Sequence, residues 1–227
     1  MIAHKSEFAR GALLILAFVA VLILMFLPLM DGKNALEYSD DLYNSISKKS
    51  AYYIPAAKKK VESTELRPVE LTLEVDAAQA EQTALLFNTA GAAATALNGT
   101  ISIRGDLGKI LTACLADSDA MFANNGQAVS EKYGYEARQA LYNWWTACKA
   151  MDKDLGKQKL FKEAAVVDFV KNKAVEPAYN YYGIEPQRLT ERLGVVTFSL
   201  VFYVVYTLWY GFGIMFMLEG WGMRLEH

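Results

Sequence analysis

Histidine and cysteine, two side chains that often carry catalysis and metal binding, are scarce in this chain of 227 residues. The two histidines, His4 and His227, lie at the chain ends, which excludes a histidine-based triad or a histidine-rich metal site from the middle of the chain. No other catalytic or cofactor motif stands out, and no pair of a nucleophile and a base can be named. We therefore expect a protein that is not an enzyme and that holds no cofactor.

Charged residues are absent from two long stretches, residues 11–30 and 193–218. As helices these stretches would extend about 30 and 39 Å at ~1.5 Å per residue, enough to cross the hydrocarbon core of a bilayer. One charged side chain costs on the order of 2.5–3.5 kcal/mol at the bilayer centre, so an absence this complete is hard to attribute to chance. The sequence predicts two transmembrane helices.

The charges that flank the two stretches set the expected orientation. Positive charge is in slight excess at the start of the chain, and the charged residues of the two flanks are Lys5, Glu7 and Arg10, then Glu219, Arg224 and Glu226. This bias favours cytoplasmic termini, residues 1–10 and 219–227, and puts residues 31–192 outside the cytoplasm. We expect the inner membrane of a bacterium, with residues 31–192 in the periplasm or extracellular, while a eukaryotic source remains open.

The first stretch has a basic start and an apolar middle, as a cleaved signal peptide does. Its apolar run is long for a signal peptide, and residues 29–31 offer no cleavage site with small residues. We interpret it as a retained membrane anchor.

Residues 31–192 contain 20 Lys and Arg and 22 Asp and Glu, which are the totals of 23 and 25 less three of each in the flanks. A segment so close to neutral lacks the basic surface that nucleic acids need, so we expect no nucleic-acid partner. Its length is sufficient for a hydrophobic core of its own.

The segment between the stretches is predicted to be an α+β domain, with a small β-α-β-β-α layer followed by long helices. Alternating apolar residues predict the first strand, and Asn98-Gly99 predicts a hairpin between the other two. The predicted strands are 69–75, 94–98 and 100–104, and the predicted helices are 34–49, 77–90, 106–123, 127–155 and 157–182, the last two divided at Gly156. A helix starting near residue 186 is expected to continue into the second transmembrane helix.

Cys114 and Cys148 are candidates for a disulfide if the domain lies in an oxidising compartment. In a helical hairpin that turns near residue 125, they would differ in height by about 18 Å at ~1.5 Å per residue, whereas a disulfide needs Cα atoms within about 7 Å. We expect free, buried thiols. Asp117 and Asp119, and likewise Asp152 and Asp154, are expected on solvated helix faces, because residues two apart on a helix do not share a face.

Aromatic residues cluster on the predicted long helices. They are candidates for a small-ligand pocket, although core packing is the simpler interpretation. The candidate pocket residues are Tyr142, Trp144, Trp145, Tyr179, Tyr181 and Tyr182.

The second stretch carries hydroxyl groups and glycines at helical spacing. Lipid offers these hydroxyls no partner, and glycines permit close backbone approach, so this face favours another helix, a bound lipid or a quinone-like molecule. The candidate interface residues are Ser199, Tyr203, Tyr206, Tyr210, Gly211 and Gly213.

The layout of two membrane helices around an outer domain resembles bacterial chain-length regulators of surface polysaccharide and the input halves of two-pass sensors. The chain departs from the first in having no proline-rich segment before its second stretch, and from the second in having only nine residues after Leu218. Our leading hypothesis is a non-catalytic scaffold or accessory subunit that associates with itself or with other membrane subunits. The alternative is an extracytoplasmic ligand-binding or sensor component, or a protein like the polysaccharide regulators.

Overall fold

The computed structural model describes residues 2–223 and is mostly helical, with a small three-stranded sheet. Its helices are α1 (Lys5–Phe26), α2 (Ala35–Lys48), α3 (Ile54–Glu62), α4 (Ala77–Thr89), α5 (Leu107–Phe122), α6 (Gly126–Tyr133), α7 (Ala137–Lys157), α8 (Phe161–Val170), α9 (Glu176–Tyr181) and α10 (Leu189–Gly220). Its strands are β1 (Pro68–Glu74), β2 (Ala93–Leu97) and β3 (Thr100–Asp106). Arg224, Glu226 and His227, which entered the interpretation of the sequence, lie outside the described residues.

The described chain forms two compact units, residues 2–46 with 186–223, and residues 47–185. We call them the helix-pair unit and the central unit. The helix-pair unit is larger than the two apolar stretches because α2 belongs to it. The Tyr43 hydroxyl lies 2.5 Å from the Ser199 hydroxyl of α10, and the Gln187 amide donates to the Ser45 carbonyl at 3.0 Å.

Helices α1 and α10 are both long and apolar enough to cross a membrane. Helix α1 begins six residues before the first uncharged stretch and ends before Pro28, because a residue that precedes proline is driven out of the helical conformation. Helix α10 covers the whole second stretch. Only 6% of the most apolar window of α1 and none of that of α10 is buried, so neither is the core helix of a water-soluble fold.

The sheet of the central unit has the strand order β1-β3-β2, with both pairs antiparallel. Asn98 and Gly99 make the tight turn between β2 and β3, and both have positive φ, as a type I′ turn requires. Alternate residues of β1 and β3 are buried, and they contribute Val69, Leu71, Leu73, Ile101 and Ile103 to the hydrophobic core.

Both edges of the sheet are closed by side chains. On β1, Asp154 of α7 accepts from the Thr72 amide at 3.1 Å, and Gln158 donates to the Glu70 carbonyl at 2.8 Å. On β2, the Asn88 side chain accepts from the amide of Ala94 and donates to its carbonyl. Such caps block the pairing of an exposed edge strand with another chain. Asp154 therefore caps a sheet edge rather than lying on a purely solvated helix face.

The predicted helix 127–155 is two helices, α6 and α7. Gly134 ends α6 in the left-handed conformation, with φ of 75°. The Glu136 carboxylate then begins α7 by accepting from the amides of Arg138 and Gln139 at 3.0 and 2.8 Å. An acidic side chain in the cap position starts a new helix here, and the sequence periodicity did not reveal it.

The predicted helix 157–182 is also interrupted, and Gly156 is not the divider because α7 continues through it. The break is at Lys159, which has a φ of 62°. After α8 the backbone widens into a π-helical turn, Lys171–Val175, directly before Pro177 near the start of α9. Proline lacks the N–H that a regular helix needs at that position, which accounts for the irregularity. The short helix α3 was not predicted.

Candidate helix interface and polar clusters

Helices α1 and α10 touch through glycines. A Cβ atom at Gly11 would lie 2.6 Å from the backbone nitrogen of Met217, and one at Gly220 would lie 2.5 Å from the backbone nitrogen of Phe8. At Gly213 it would lie 2.7 Å from Ile15 Cδ1. Contacts this short leave no room for a larger residue, so the glycines allow the two backbones to approach as they do in packed membrane helices.

Two aromatic side chains of α10 donate hydrogen bonds to the backbone of α1. The Tyr206 hydroxyl donates to the Phe18 carbonyl at 3.2 Å, and Trp209 Nε1 donates to the Leu14 carbonyl at 3.1 Å. The Phe18 and Tyr206 rings are stacked with centroids 4.1 Å apart. The polar atoms of these two large rings are thus paired inside an apolar contact.

The six candidate interface residues divide between two faces of α10. The less exposed residues of α10 face the rest of the helix-pair unit and recur every three or four positions along the sequence. They are Ser199, Phe202, Tyr206, Trp209 and Gly213. This set differs from the predicted hydroxyl stripe, because it includes Phe202 and Trp209, while Tyr203 faces outward. These spacings average 3.5 residues per turn, which is the period of two helices that pack along their length. The helix packed on this side is α1 of the same chain.

Tyr203 and Gly211 face outward, whereas Tyr210 lies at the edge of the contact with α1, with its ring centroid 5.1 Å from that of Phe18. Tyr203 is 69% exposed, and Gly211 has open space around the position of a Cβ atom. Within residues 2–223, neither the Tyr203 nor the Tyr210 hydroxyl has a hydrogen-bond partner. Thr207 lies on the same face and donates to the Tyr203 carbonyl, so its own hydroxyl is satisfied within the helix.

The six candidate pocket residues lie in different surroundings. Trp144 is fully buried and packs edge-on against Phe87, with centroids 5.5 Å apart. The Tyr181 hydroxyl lies 3.0 Å from the Ser47 hydroxyl, and Tyr182 packs closely over Gly126. Core packing, the simpler interpretation, therefore describes Trp144.

The other three candidates form a patch on the surface of α7 and α9. Tyr142 stacks on Trp145 with centroids 6.1 Å apart, and Tyr179 lies 6.5 Å from Tyr142. The guanidinium of Arg138 lies over the rings of Tyr179 and Tyr182, at 5.7 and 5.6 Å. These cation-π contacts occupy faces that a ligand would otherwise stack on.

A groove of about 410 Å³ lies beside this patch, between β1 and α7, and none of the six aromatic candidates lines it. Lysines and carboxylates both line the groove, and they are Lys149, Lys153 and Lys157, with Glu74, Asp76 and Asp154. Charges of both signs give the groove no preference for an anion or a cation.

Asp117 is at the centre of a buried polar cluster that was not predicted. Its Oδ2 atom accepts from the Tyr133 hydroxyl at 2.5 Å and from Trp144 Nε1 at 2.8 Å, and its Oδ1 atom accepts from Lys132 Nζ at 2.7 Å. The Asp117 side chain is only 5% exposed, so the expectation of a solvated helix face is wrong. Burial, and then the hydrogen bond to Asp117, raise the pKa of Tyr133.

Asp119, two residues further along α5, meets solvent as expected but is not isolated. It accepts from the Tyr52 hydroxyl at 2.8 Å and from Lys58 Nζ at 2.6 Å. The hydrogen bond to Asp119, and then burial, raise the pKa of Tyr52. Asp117 and Asp119 thus differ in burial although they share a helix and a residue type.

Cys114 and Cys148 are both buried and unbridged, and Cys148 is near enough to affect the Cys114 thiol. The large offset expected from a hairpin at residue 125 is wrong, because α6 separates α5 from α7. Measured from the facing ends of those helices, at Phe122 and Ala137, the two cysteines lie at similar heights. Burial, and then the neighbouring Cys148, raise the pKa of the Cys114 thiol well above its usual value, which makes it a poor nucleophile.

Lys48 connects the two ends of the central unit. Its Nζ atom donates to Asn124 Oδ1 at 2.9 Å and to the Ile184 carbonyl at 2.7 Å, while the Asn124 amide group donates to the Glu185 carboxylate at 3.0 Å. Burial lowers the pKa of Lys48, and the nearby Glu185 opposes that shift. We call this group the Lys48 clasp.

No group of three or more potential metal ligands occurs among the described residues. Comparisons with protein-family models, with curated proteins and with solved structures found no significant match. The functional argument therefore depends on the geometry of this chain alone.

Proposed function

We propose that this chain is a non-catalytic, two-pass protein of the bacterial inner membrane that acts as an oligomeric scaffold or as an accessory subunit of a membrane complex. The support for its insertion is that almost no residue in the most apolar windows of α1 and α10 is buried inside the fold. An exposed apolar surface of this length is costly in water and favourable in a bilayer. Cytoplasmic termini and a periplasmic or extracellular position of residues 31–192 belong to the same proposal.

The outward face of α10 carries the proposal of assembly. Tyr203 and Tyr210 present hydroxyls without partners at the level of the membrane interior, where neither lipid chains nor water can pair with them. The open space at Gly211 lets another backbone approach. A second helix, from another copy or from another membrane subunit, satisfies both conditions.

Native mass spectrometry in a mild detergent tests this proposal. We expect the chain in assemblies larger than one 25.3 kDa protomer. Tyr203→Phe combined with Tyr210→Phe should shift the population toward the protomer, because it removes only the two hydroxyls. Tyr206→Phe is the matched control, since its hydroxyl already pairs with Phe18 of the same chain.

A bulky residue on the same face gives a second test. Gly211→Leu should disrupt assembly, whereas Gly194→Leu, at another open glycine of α10, should not. A lone protomer under every gentle condition contradicts the proposal, and so does an assembly that the outward-face variants leave unchanged.

The alternative proposal, an extracytoplasmic ligand-binding or sensor component, has less support. Trp144 belongs to the packed interior, and cations cover part of the exposed aromatic patch. The resemblance to the polysaccharide regulators is limited to the order of two apolar helices with a domain between them.

A further inference from the structure

A small pocket of about 210 Å³ lies within the helix-pair unit, where the segment after α1, helix α2 and the start of α10 meet. Its polar lining comes from Asp31, Lys33, Tyr38, Asp41, Gln187 and Arg192. We call it the boundary pocket, because it lies where the uncharged surface of the two long helices ends.

The sequence fixes the level of the boundary pocket along the helix pair. Arg192 directly precedes the uncharged stretch 193–218, and Asp31 directly follows the stretch 11–30. Helix α1 runs antiparallel to α10, so the end of the first stretch and the start of the second lie at the same end of the pair. In a bilayer that the two helices span, this end is at the level of the lipid headgroups.

A tight turn holds Asp31 in the wall of the pocket. Met30 and Lys33 exchange two backbone hydrogen bonds, of 3.0 and 2.9 Å, across Asp31 and Gly32. Both turn residues have positive φ, as a type I′ turn requires. Aspartate accepts this conformation more readily than most residues, so the pair Asp31-Gly32 suits the turn.

The charged groups of the lining neutralise one another only in part. Lys33 and Asp41 form an ion pair. The Arg192 Nε atom donates to Gln187 Oε1 at 2.7 Å, which leaves the two terminal nitrogens of the guanidinium for another acceptor. Within the described chain, neither Arg192 nor Asp31 has an ion-pair partner. The pocket therefore offers one cation and one anion to a ligand.

The charges around the pocket disfavour a purely anionic ligand. The lining itself is balanced, with two cations and two anions. Among the residues next to it in sequence, Arg188 is outnumbered by Glu37, Asp40 and Glu191. An anion gains from Arg192 but is repelled by these carboxylates, whereas a zwitterion is attracted by charges of both signs.

We propose that the boundary pocket binds the headgroup of one phosphatidylethanolamine molecule in the bilayer that α1 and α10 span. The terminal nitrogens of Arg192 donate to the phosphate, and the Asp31 carboxylate accepts from the primary ammonium group. Tyr38 lies at the headgroup level, where tyrosine is enriched in membrane proteins. The site rests on the membrane insertion proposed above and is independent of assembly through α10.

The ammonium group distinguishes this lipid from phosphatidylcholine. A primary ammonium group has three N–H donors for a carboxylate, whereas a trimethylammonium group has none. Both lipids carry the same phosphate, so Arg192 contributes to the binding of either. Asp31 is therefore the residue that determines selectivity.

Native mass spectrometry of the full chain in a mild detergent, titrated with one lipid at a time, counts the lipid molecules bound. We expect phosphatidylethanolamine to bind at about tenfold lower concentration than phosphatidylcholine or phosphatidylglycerol, the effect of a hydrogen bond to a charged group. Asp31→Asn should weaken its binding about tenfold and remove the preference. Asparagine also accepts the positive φ of the turn, so this variant keeps the fold.

Arg192→Gln separates affinity from selectivity. It should weaken the binding of phosphatidylethanolamine and of phosphatidylcholine about fivefold each, and leave the preference between them unchanged. The matched controls are Asp40→Asn and Arg188→Gln, which remove the same charges from exposed positions next to the lining but outside it. Both controls should bind the lipids as the native chain does.

Three outcomes overturn the inference. The first is equal binding of the three lipids, and the second is tighter binding of phosphatidylglycerol than of phosphatidylethanolamine. The third is a loss of binding in the controls as large as that in the pocket variants.

Lipid binding is counted separately on the protomer and on each larger assembly, which keeps the two proposals apart. A lone protomer that prefers phosphatidylethanolamine supports the pocket and contradicts assembly through α10. Assemblies without a lipid preference contradict the pocket alone. A chain that stays in solution without detergent contradicts the membrane insertion on which both depend.

Discussion

The helix-pair unit and the central unit each contain a tryptophan and a tyrosine whose polar atoms need partners, and the two units supply different acceptors. In the helix pair, Trp209 and Tyr206 donate to backbone carbonyls of α1. In the central unit, Trp144 and Tyr133 donate to the carboxylate of Asp117. The donors are of the same two types and only the acceptors differ.

The difference shows what each environment permits. A carboxylate within an apolar span would cost on the order of 2.5–3.5 kcal/mol, so α1 supplies acceptors that its backbone already has. The central unit can hold a buried carboxylate because Lys132 reaches it from the surface. The distance between packed elements differs as well. Glycines let the backbones of α1 and α10 approach closely, whereas large apolar side chains fill the space between the elements of the central unit.

The most disruptive test of this comparison removes the buried acceptor. Asp117→Ala should lower the free energy of unfolding of the central unit by about 3 kcal/mol, because two buried donors lose their partner. Asp119→Ala, on the same helix, should cost no more than about 1 kcal/mol, because its contacts are partly exposed. Urea unfolding in detergent, followed by tryptophan fluorescence, measures both. Equal losses would show that burial of Asp117 is not what stabilises the cluster.

The next largest effect concerns the spacing of the helix pair. Gly11→Val should destabilise the packing of α1 on α10 by about 2 kcal/mol, as overpacking does, because its Cβ atom would lie 2.6 Å from the backbone nitrogen of Met217 and 2.7 Å from the Gly213 carbonyl oxygen. Unfolding by a denaturing detergent in mixed micelles measures the change. Gly194→Val adds the same side chain in open space and should be close to neutral, and a loss there of similar size would rule out the collision as the cause.

The same substitution in both units compares the two acceptors directly. Trp144→Phe should cost about 2 kcal/mol, because Asp117 loses a donor in a buried site. Trp209→Phe should cost about 0.6 kcal/mol, the usual value of a hydrogen bond between membrane helices. Unfolding of each unit by the two methods above gives the comparison. A reversed order would mean that the backbone acceptor is the stronger one.

The smallest effect is a dependence on pH at the Lys48 clasp. Burial lowers the pKa of Lys48 in the native chain, so between that pKa and the usual lysine value the unfolded chain binds more protons. The stability of the native chain relative to Lys48→Met should therefore rise as the pH increases through this window. Unfolding of both chains at neutral pH and at a pH just below the ordinary lysine pKa measures it. A difference that is constant or falls with pH contradicts the assignment.

Local patterns in the sequence carry enough information for several elements. The alternation of apolar residues predicts β1, and the turn chemistry of Asn98-Gly99 predicts the hairpin. Asn34 and Glu37 cap α2 reciprocally, as a capping box does. Each of these features depends on residues within a few positions of one another.

The polar clusters could not be predicted because their partners are distant in the chain. Asp117 looks like a surface residue until the break at Gly134 brings Tyr133 and Trp144 onto it. On α10, the hydroxyl stripe and the inward-facing set share Ser199 and Tyr206 and otherwise differ by one residue, a choice that the helical period alone does not decide. The inward position of Trp209 depends on α1, which sequence periodicity does not include.

The central claim is that two helices hold the central unit on the outer side of a membrane, and labelling of engineered cysteines tests it most directly. Ser6→Cys and Ser63→Cys are small changes at exposed positions, and the native cysteines are buried. In intact bacterial spheroplasts, an impermeant maleimide should label Ser63→Cys at once and Ser6→Cys only after permeabilisation. Labelling of both sites alike, or of Ser6→Cys alone, would contradict the account.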